Sequence, residues 1–222
     1  SAASDVYKRL DLVRYAEDLG LVTGLLPDGR LLRDRSLLNE LLMAGLDHLQ
    51  VTLASSNSEV HDSIVGQTGA WAEADAAIGN AVEGDIYVVV HVVVTTANAD
   101  TAEETIAYLA ERGVHAVALS SPLRSASDEE LGRLQDALDR TKQAAHARGR
   151  TGIWDLAAPY SYVNPIEIDA ALPPEQVVRQ HLYVEPDGDA LPAQGYNIVL
   201  GNVLRDPWET IWNHVGRSDL GE

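Results

Sequence analysis

The chain has 222 residues, 45% of them hydrophobic and 23% charged, the make-up of one globular domain or one domain with a small appendage. It contains no cysteine, which excludes a disulfide framework, a thiolate zinc site, a cysteine nucleophile and a cysteine-ligated iron–sulfur cluster on this polypeptide. Sixteen Lys plus Arg against 34 Asp plus Glu give a formal net charge of −18, which repels a phosphate backbone and an anionic membrane surface, so neither nucleic acid nor membrane is an expected partner. The longest apolar run, 86–94, contains His91 and falls far short of the roughly 20 residues a membrane span needs. The amino terminus lacks the basic-then-apolar layout of a signal peptide, so the expected location is the cytoplasm.

Residues 5–19 set Val6, Leu10, Val13 and Leu19 near helical spacing, and Gly20 stops the helix. Residues 21–26 (LVTGLL) form a short apolar run closed by Pro27, Asp28 and Gly29, which predicts a buried strand and a turn. A helix is expected over 34–44 with Gly45 behind it, and then a strand over 48–53 (HLQVTL). A helical stretch through 71–82 precedes residues 86–95 (IYVVVHVVVT), whose density of β-branched side chains predicts a strand buried on both faces. The next helix, 101–112, has Thr101 as its expected amino-terminal cap and Gly113 as its stop. Residues 114–120 (VHAVALS) read as a strand and 128–148 as a long helix that opens on Asp128, Glu129 and Glu130.

An apolar strand, a helix ending in Gly and a further strand recur, which implies parallel strands with right-handed crossovers and makes the first 150 residues α/β. Periodicity leaves open whether the sheet is flat or a barrel arc. Residues 152–192 are proline-rich and should be mostly loop and short strand, so the division falls between 1–150 and 151–222. Within the second part, 181–191 reads as a hairpin turning at Pro186, Asp187 and Gly188, and Trp208, Ile211 and Trp212 mark a last short helix after Pro207.

Parallel α/β folds place their chemistry in loops at the carboxyl ends of strands. Those ends offer Thr23 and Asp28, then Thr52 and Ser55, then Thr95, Thr96 and Asn98, then Ser120 and Ser121. Such hydroxyls and amides suit a polar ligand such as a ribose or an amino acid; they equally cap the helices that follow. His48, His61 and His91 would be the ligands of a zinc site, but His91 sits mid-strand among valines and His48 at the wrong end of its strand, so no metal site is expected. No glycine-rich phosphate loop and no nucleophile elbow is present, and no catalytic residue is assigned.

The order of segments carries a resemblance. LVRYAEDLGLVTGLLPDGRLL (12–32) and LLNELLMAGLDHLQVTLAS (37–55) resemble the helix, "TNG" strand turn and "AGLDxVxVSLD" strand of radical S-adenosylmethionine enzymes. VVVHVVVTTANADTAEETIAYLAERGVHAVALS (88–120) is similar to that family's next strand with its Asn beyond the end, its helix and its adenine-side strand. LYVEPDGDALPAQGYNIVLGNVLRDPWETIW (182–212) resembles the "PDGxVxPC…GNxxxxxxxxIW" signature of the SPASM-type carboxyl-terminal extension.

The resemblance implies a partial (β/α) barrel with four recognisable strands of six, plus a small hairpin-and-helix extension. It also implies a parent reaction in which S-adenosylmethionine is reductively cleaved at a 4Fe–4S cluster and the resulting radical abstracts hydrogen from a substrate, a peptide or protein in many SPASM-type relatives. Carried over residue by residue, the cofactor-binding positions are Thr52 and Ser55 on the ribose side, Thr95 and Asn98 on the methionine side, and Ser120 on the adenine side.

The departures matter as much. The matched segments begin after the family's C-x3-C-x2-C and "GGE" motifs, Ala54 stands where the family has Asp, and Ala193 where it has Cys. No cluster is expected to assemble on this chain. Three accounts fit: a truncated or cysteine-free form of a radical enzyme, itself inactive; a non-catalytic module that keeps the fold to bind a ligand or partner; or a likeness of fold alone. A sheet edge left open by missing strands implies a homo-oligomer.

Overall fold

The computed structural model describes residues 2–26, 29, 32–121, 128–153, 182–191 and 198–214. It forms two compact units, Ser1–Ile153 and Trp154–Glu222. The first is built from α1 (Ala2–Asp18), β1 (Gly24–Leu25), α2 (Arg35–Met43), β2 (His48–Thr52), α3 (Ser58–Val65), α4 (Ala70–Glu83), β3 (Tyr87–Val93), α5 (Ala102–Glu111), β4 (Ala116–Ser120), α6 (Asp128–Ala147) and β5 (Thr151–Ile153). All five strands are parallel and lie in sequence order. With right-handed crossovers, sequential order places every connecting helix on the same face, which is the arc of a (β/α) barrel.

Register sorts the side chains. His48 lies beside Tyr87, Gln50 beside Val89 and Thr52 beside His91; Val89, His91 and Val93 lie beside Ala116, Ala118 and Ser120. Because side chains alternate along a strand, these residues share one face. Leu49, Val51, Val88, Val90, Val92 and Val117 occupy the other, each with 0% exposure. That aliphatic face backs the helices, which bury Ala77, Ile78, Ala81, Ile106 and Leu109. Helices α4 and α5 are further clasped by Arg112, which grips both carboxylate oxygens of Asp75 at 2.8 and 3.1 Å while the Tyr108 hydroxyl donates to the same group.

Two expectations need correction, and two elements fill stretches left unspecified. The run 21–26 is not a buried strand: only Gly24 and Leu25 pair, at the sheet's edge, and Leu21, Val22 and Leu26 are exposed. The helix expected through 71–82 is preceded by a separate α3, because Gly66 and Gly69 both take positive φ and Asp62 accepts the backbone N–H groups of Gly69 and Trp71. Thr101 does not cap α5; its hydroxyl donates to the Asn98 carbonyl at 3.4 Å. A fifth strand, β5, opens the stretch expected to be loop and short strand, too short for a periodic signal.

In the second unit β6 (Tyr183–Val184) and β7 (Asp189–Leu191) form the expected hairpin, with Gly188 at φ +93° in the turn. A third strand, β8 (Gly201–Asn202), pairs with β7, and α7 (Trp208–His214) packs Ile211 against Ala190 and Leu200. Asn202 joins the pieces: its amide donates to Asp187 O and Asp189 Oδ1, and its carbonyl accepts from Leu204 N. Pro27, Asp28, residues 154–181, Pro192 and Ala193 lie outside the described residues. No helix among the described residues is long and apolar enough to cross a membrane.

Candidate functional site at the strand ends

Beyond the carboxyl end of β2 lies a tied loop, residues 54–57, joined to the end of β3 through Asn98. Ala54 N donates to Nδ1 of His61 at 3.0 Å, and Ala54 O accepts from Nδ2 of Asn98 at 2.5 Å. Ser56 N donates to the Thr105 hydroxyl at 3.0 Å, and Asn57 N to the Ser55 hydroxyl at 3.1 Å. The Asn57 side chain then caps α3 through Glu59 N and Val60 N. Three elements thus fix the loop through their side chains, which pre-organises any ligand site built there.

His61 is 2% exposed, and its burial lowers the imidazole pKa. Since Nδ1 accepts from a backbone N–H, the ring is neutral with its proton on Nε2. Spacing singled His61 out only as a metal ligand, and its part as a loop anchor has no local sequence signal; nor has that of Thr105. Among the described residues no group of three or more His, Asp or Glu could hold a metal ion.

The five predicted cofactor-binding residues fare differently. Asn98 is 1% exposed and fully engaged: Nδ2 donates to Ala54 O and Val93 O, while Oδ1 accepts from Thr95 N at 2.6 Å. It fastens the ends of β2 and β3 and has no donor left for a ligand. Thr95 is drawn into the same turn, its hydroxyl near Asn98 Oδ1 and accepting from Ala97 N. Ser55 is wholly buried and turned back on its own loop. Ser120 lies 2.7 Å from Nε2 of His91 across β3 and β4. Thr52 is half-buried, and its hydroxyl has no partner among the described residues.

Thr23 does not lie at a carboxyl end. It precedes β1 and is tied to Asp47 and Gly45 O, so it supports the opposite rim. Ser121, one residue past β4, is 1% exposed and its hydroxyl has no partner. A buried hydroxyl without a partner costs about 1–3 kcal/mol, and such a group at a strand end is where a ligand would complete the bonding.

His91 is 5% exposed, and desolvation pushes its pKa down to about 4, so the ring is neutral at pH 7. The carboxyl-end rim therefore carries hydroxyls, amides and neutral imidazoles. It can orient an uncharged polar ligand by hydrogen bonds, and among the described residues it shows no acid–base pair.

No protein-family model and no curated protein matches the chain. Among solved structures, a domain of pyruvate-formate lyase-activating enzyme from Bacteroides vulgatus aligns with a TM-score of 0.50 at 17% identity, covering 67% of this chain and 90% of that one. SuiB of Streptococcus suis bound to S-adenosylmethionine aligns with a TM-score of 0.67 at 13% identity over 91% of this chain and 50% of SuiB. A second SuiB structure gives 0.66 at 12% identity over 91% and 51%. The chain spans about half the length of SuiB. At these identities the likeness is one of fold alone: the parallel sheet with its helices matches part of the fold of those structures.

Proposed function

We propose that the chain is the S-adenosylmethionine-binding part of a radical-enzyme barrel, with the ligand held at the carboxyl ends of β2, β3 and β4. The orphaned hydroxyl of Ser121 carries this reading, joined by the open hydroxyl of Thr52 on the same rim. Ribose hydroxyls and purine nitrogens are uncharged hydrogen-bonding groups, which these two side chains suit. Asn98, Thr95 and Ser55 act behind the ligand by fixing the loop and turn that face it. Ser120 contributes through His91.

The residues do not fit a thiolate-held 4Fe–4S cluster, since the chain has no cysteine, and no redox step is assigned to it. On this reading the polypeptide binds but does not itself cleave, and the hydrogen abstraction of the parent reaction belongs to a cluster held by other thiolates. The second unit would be the SPASM-like extension, its Gly201-Asn202 step and α7 standing where the resemblance puts "GN" and "IW", and a peptide or protein substrate goes with it. Self-association is part of the proposal: β1 has no outer neighbour among the described strands, and Leu21, Val22 and Leu26, which flank it in sequence, are exposed.

Titration calorimetry with S-adenosylmethionine tests the reading. Wild type should bind, and Ser121→Ala and Thr52→Val should each weaken binding roughly tenfold, the loss of about one hydrogen bond, with the melting temperature of neither variant lowered and that of Ser121→Ala raised by removal of an unpaired buried hydroxyl. Absence of binding by wild type, or wild-type affinity retained in both variants, overturns it.

A further inference from the structure

Below the rim, the inner face of the sheet carries polar side chains that the proposed cofactor site does not use. Gln50, in the middle of β2, is 4% exposed and its Oε1 has no hydrogen-bond partner; its Nε2 makes none with a described residue. Register places Gln50 beside Val89 and diagonal to His91, with Thr52 one step nearer the mouth. Across β3, Ala116 and Ala118 present only methyl groups beside Val89 and His91. Thr52 and Val93 are partly exposed, so the lane opens toward the carboxyl ends. No Asp, Glu, Lys or Arg occurs in β2, β3 or β4.

We infer that this lane is a binding subsite for a primary carboxamide, paired with the side-chain amide of Gln50. An unpaired buried amide needs a partner that gives one donor and one acceptor together. A primary carboxamide presents N–H and C=O on one edge and closes two hydrogen bonds with Gln50; a trans secondary amide holds the two on opposite edges and closes one. A carboxylate or an ammonium group would lose its hydration with no opposite charge on these strands to meet it. His91, hydrogen-bonded to Ser120, keeps its Nδ1 edge for the remainder of the ligand. The subsite relies on the barrel-arc fold but not on S-adenosylmethionine binding.

The test follows the Gln50 side-chain NH2 and the His91 ring by NMR during titration with acetamide, N-methylacetamide and acetate, without S-adenosylmethionine. Saturable shifts at both groups with acetamide, several-fold weaker with N-methylacetamide and absent with acetate, are expected. Gln50→Leu and Gln50→Met should abolish the response and, by removing an unpaired polar group, raise the melting temperature by about 2–4 °C. A melting temperature lowered in both variants would show that Gln50 is internally satisfied and overturn the inference. So would an acetate or N-methylacetamide response as strong as that of acetamide. A null acetamide titration beside intact S-adenosylmethionine binding sinks the subsite alone, and the reverse sinks the cofactor reading alone.

Discussion

The two faces of one sheet are made from the same strands and differ in almost every property. On the helix side Leu49, Val51, Val88, Val90, Val92 and Val117 are branched, apolar and completely buried. One residue along each strand, the inner side carries Gln50, Thr52, His91 and Ser120 with alanines between them. The apolar packing is concentrated on the first face and the polar side chains on the second, so a one-residue slip of register would exchange the two.

The comparison is broken most severely by placing a charge on the apolar face. Val90→Asp buries a carboxylate with no partner and should leave no cooperative unfolding transition in circular dichroism. If the variant still melts cooperatively, the helix-side face is not the core.

Acid sharpens the contrast from the polar side. An unfolded imidazole takes up its proton near pH 6.5, whereas His91 in the fold does so only near pH 4. Between these values the unfolded chain binds more protons, so the stabilisation is complete above about pH 6.5 and is lost as pH falls, by about 3 kcal/mol across the window. His61 acts in the same direction, because protonated Nδ1 would confront the Ala54 N–H. Urea midpoints at pH 7.5 and 4.5 should show the loss, and His91→Gln should remove the larger part of it; an equal slope in the variant would place the titration elsewhere.

Asn98→Ala marks where the two faces meet at the rim. It strips donors from Ala54 O and Val93 O and should cost about 2 kcal/mol. Amide exchange should quicken at residues 54–57 while the centre of β3 stays protected; uniform quickening would deny the local role.

Much of this was legible beforehand, for identifiable reasons. The valine run of β3 and the glycines after α2 and α5 announce parallel strands and their crossovers, and the Pro186-Asp187-Gly188 turn announces the hairpin. The strand-end hydroxyls could be named but not ranked, since a serine that binds and a serine that closes a turn look alike in one dimension. Asn98 shows the difficulty: its placement beyond β3 reads as a ligand contact, yet three-dimensional neighbours 44 and 5 residues away consume both of its donors. His61 and Thr105 reach the 54–57 loop across helices, which no local pattern encodes.

The seam between β1 and β2 has a bearing on how such a chain can drift over generations. A Cβ on Gly24 would stand 2.1 Å from Nε2 of His48, because the imidazole lies over the bare backbone of the neighbouring strand. A methyl group at 24 would force the half-buried ring to swing aside, whereas a smaller residue at 48 would make room for one. Relatives with a side chain at 24 should carry a smaller residue at 48, so these two sites, 24 positions apart, are coupled in one direction, the histidine ring standing where the glycine's side chain would be.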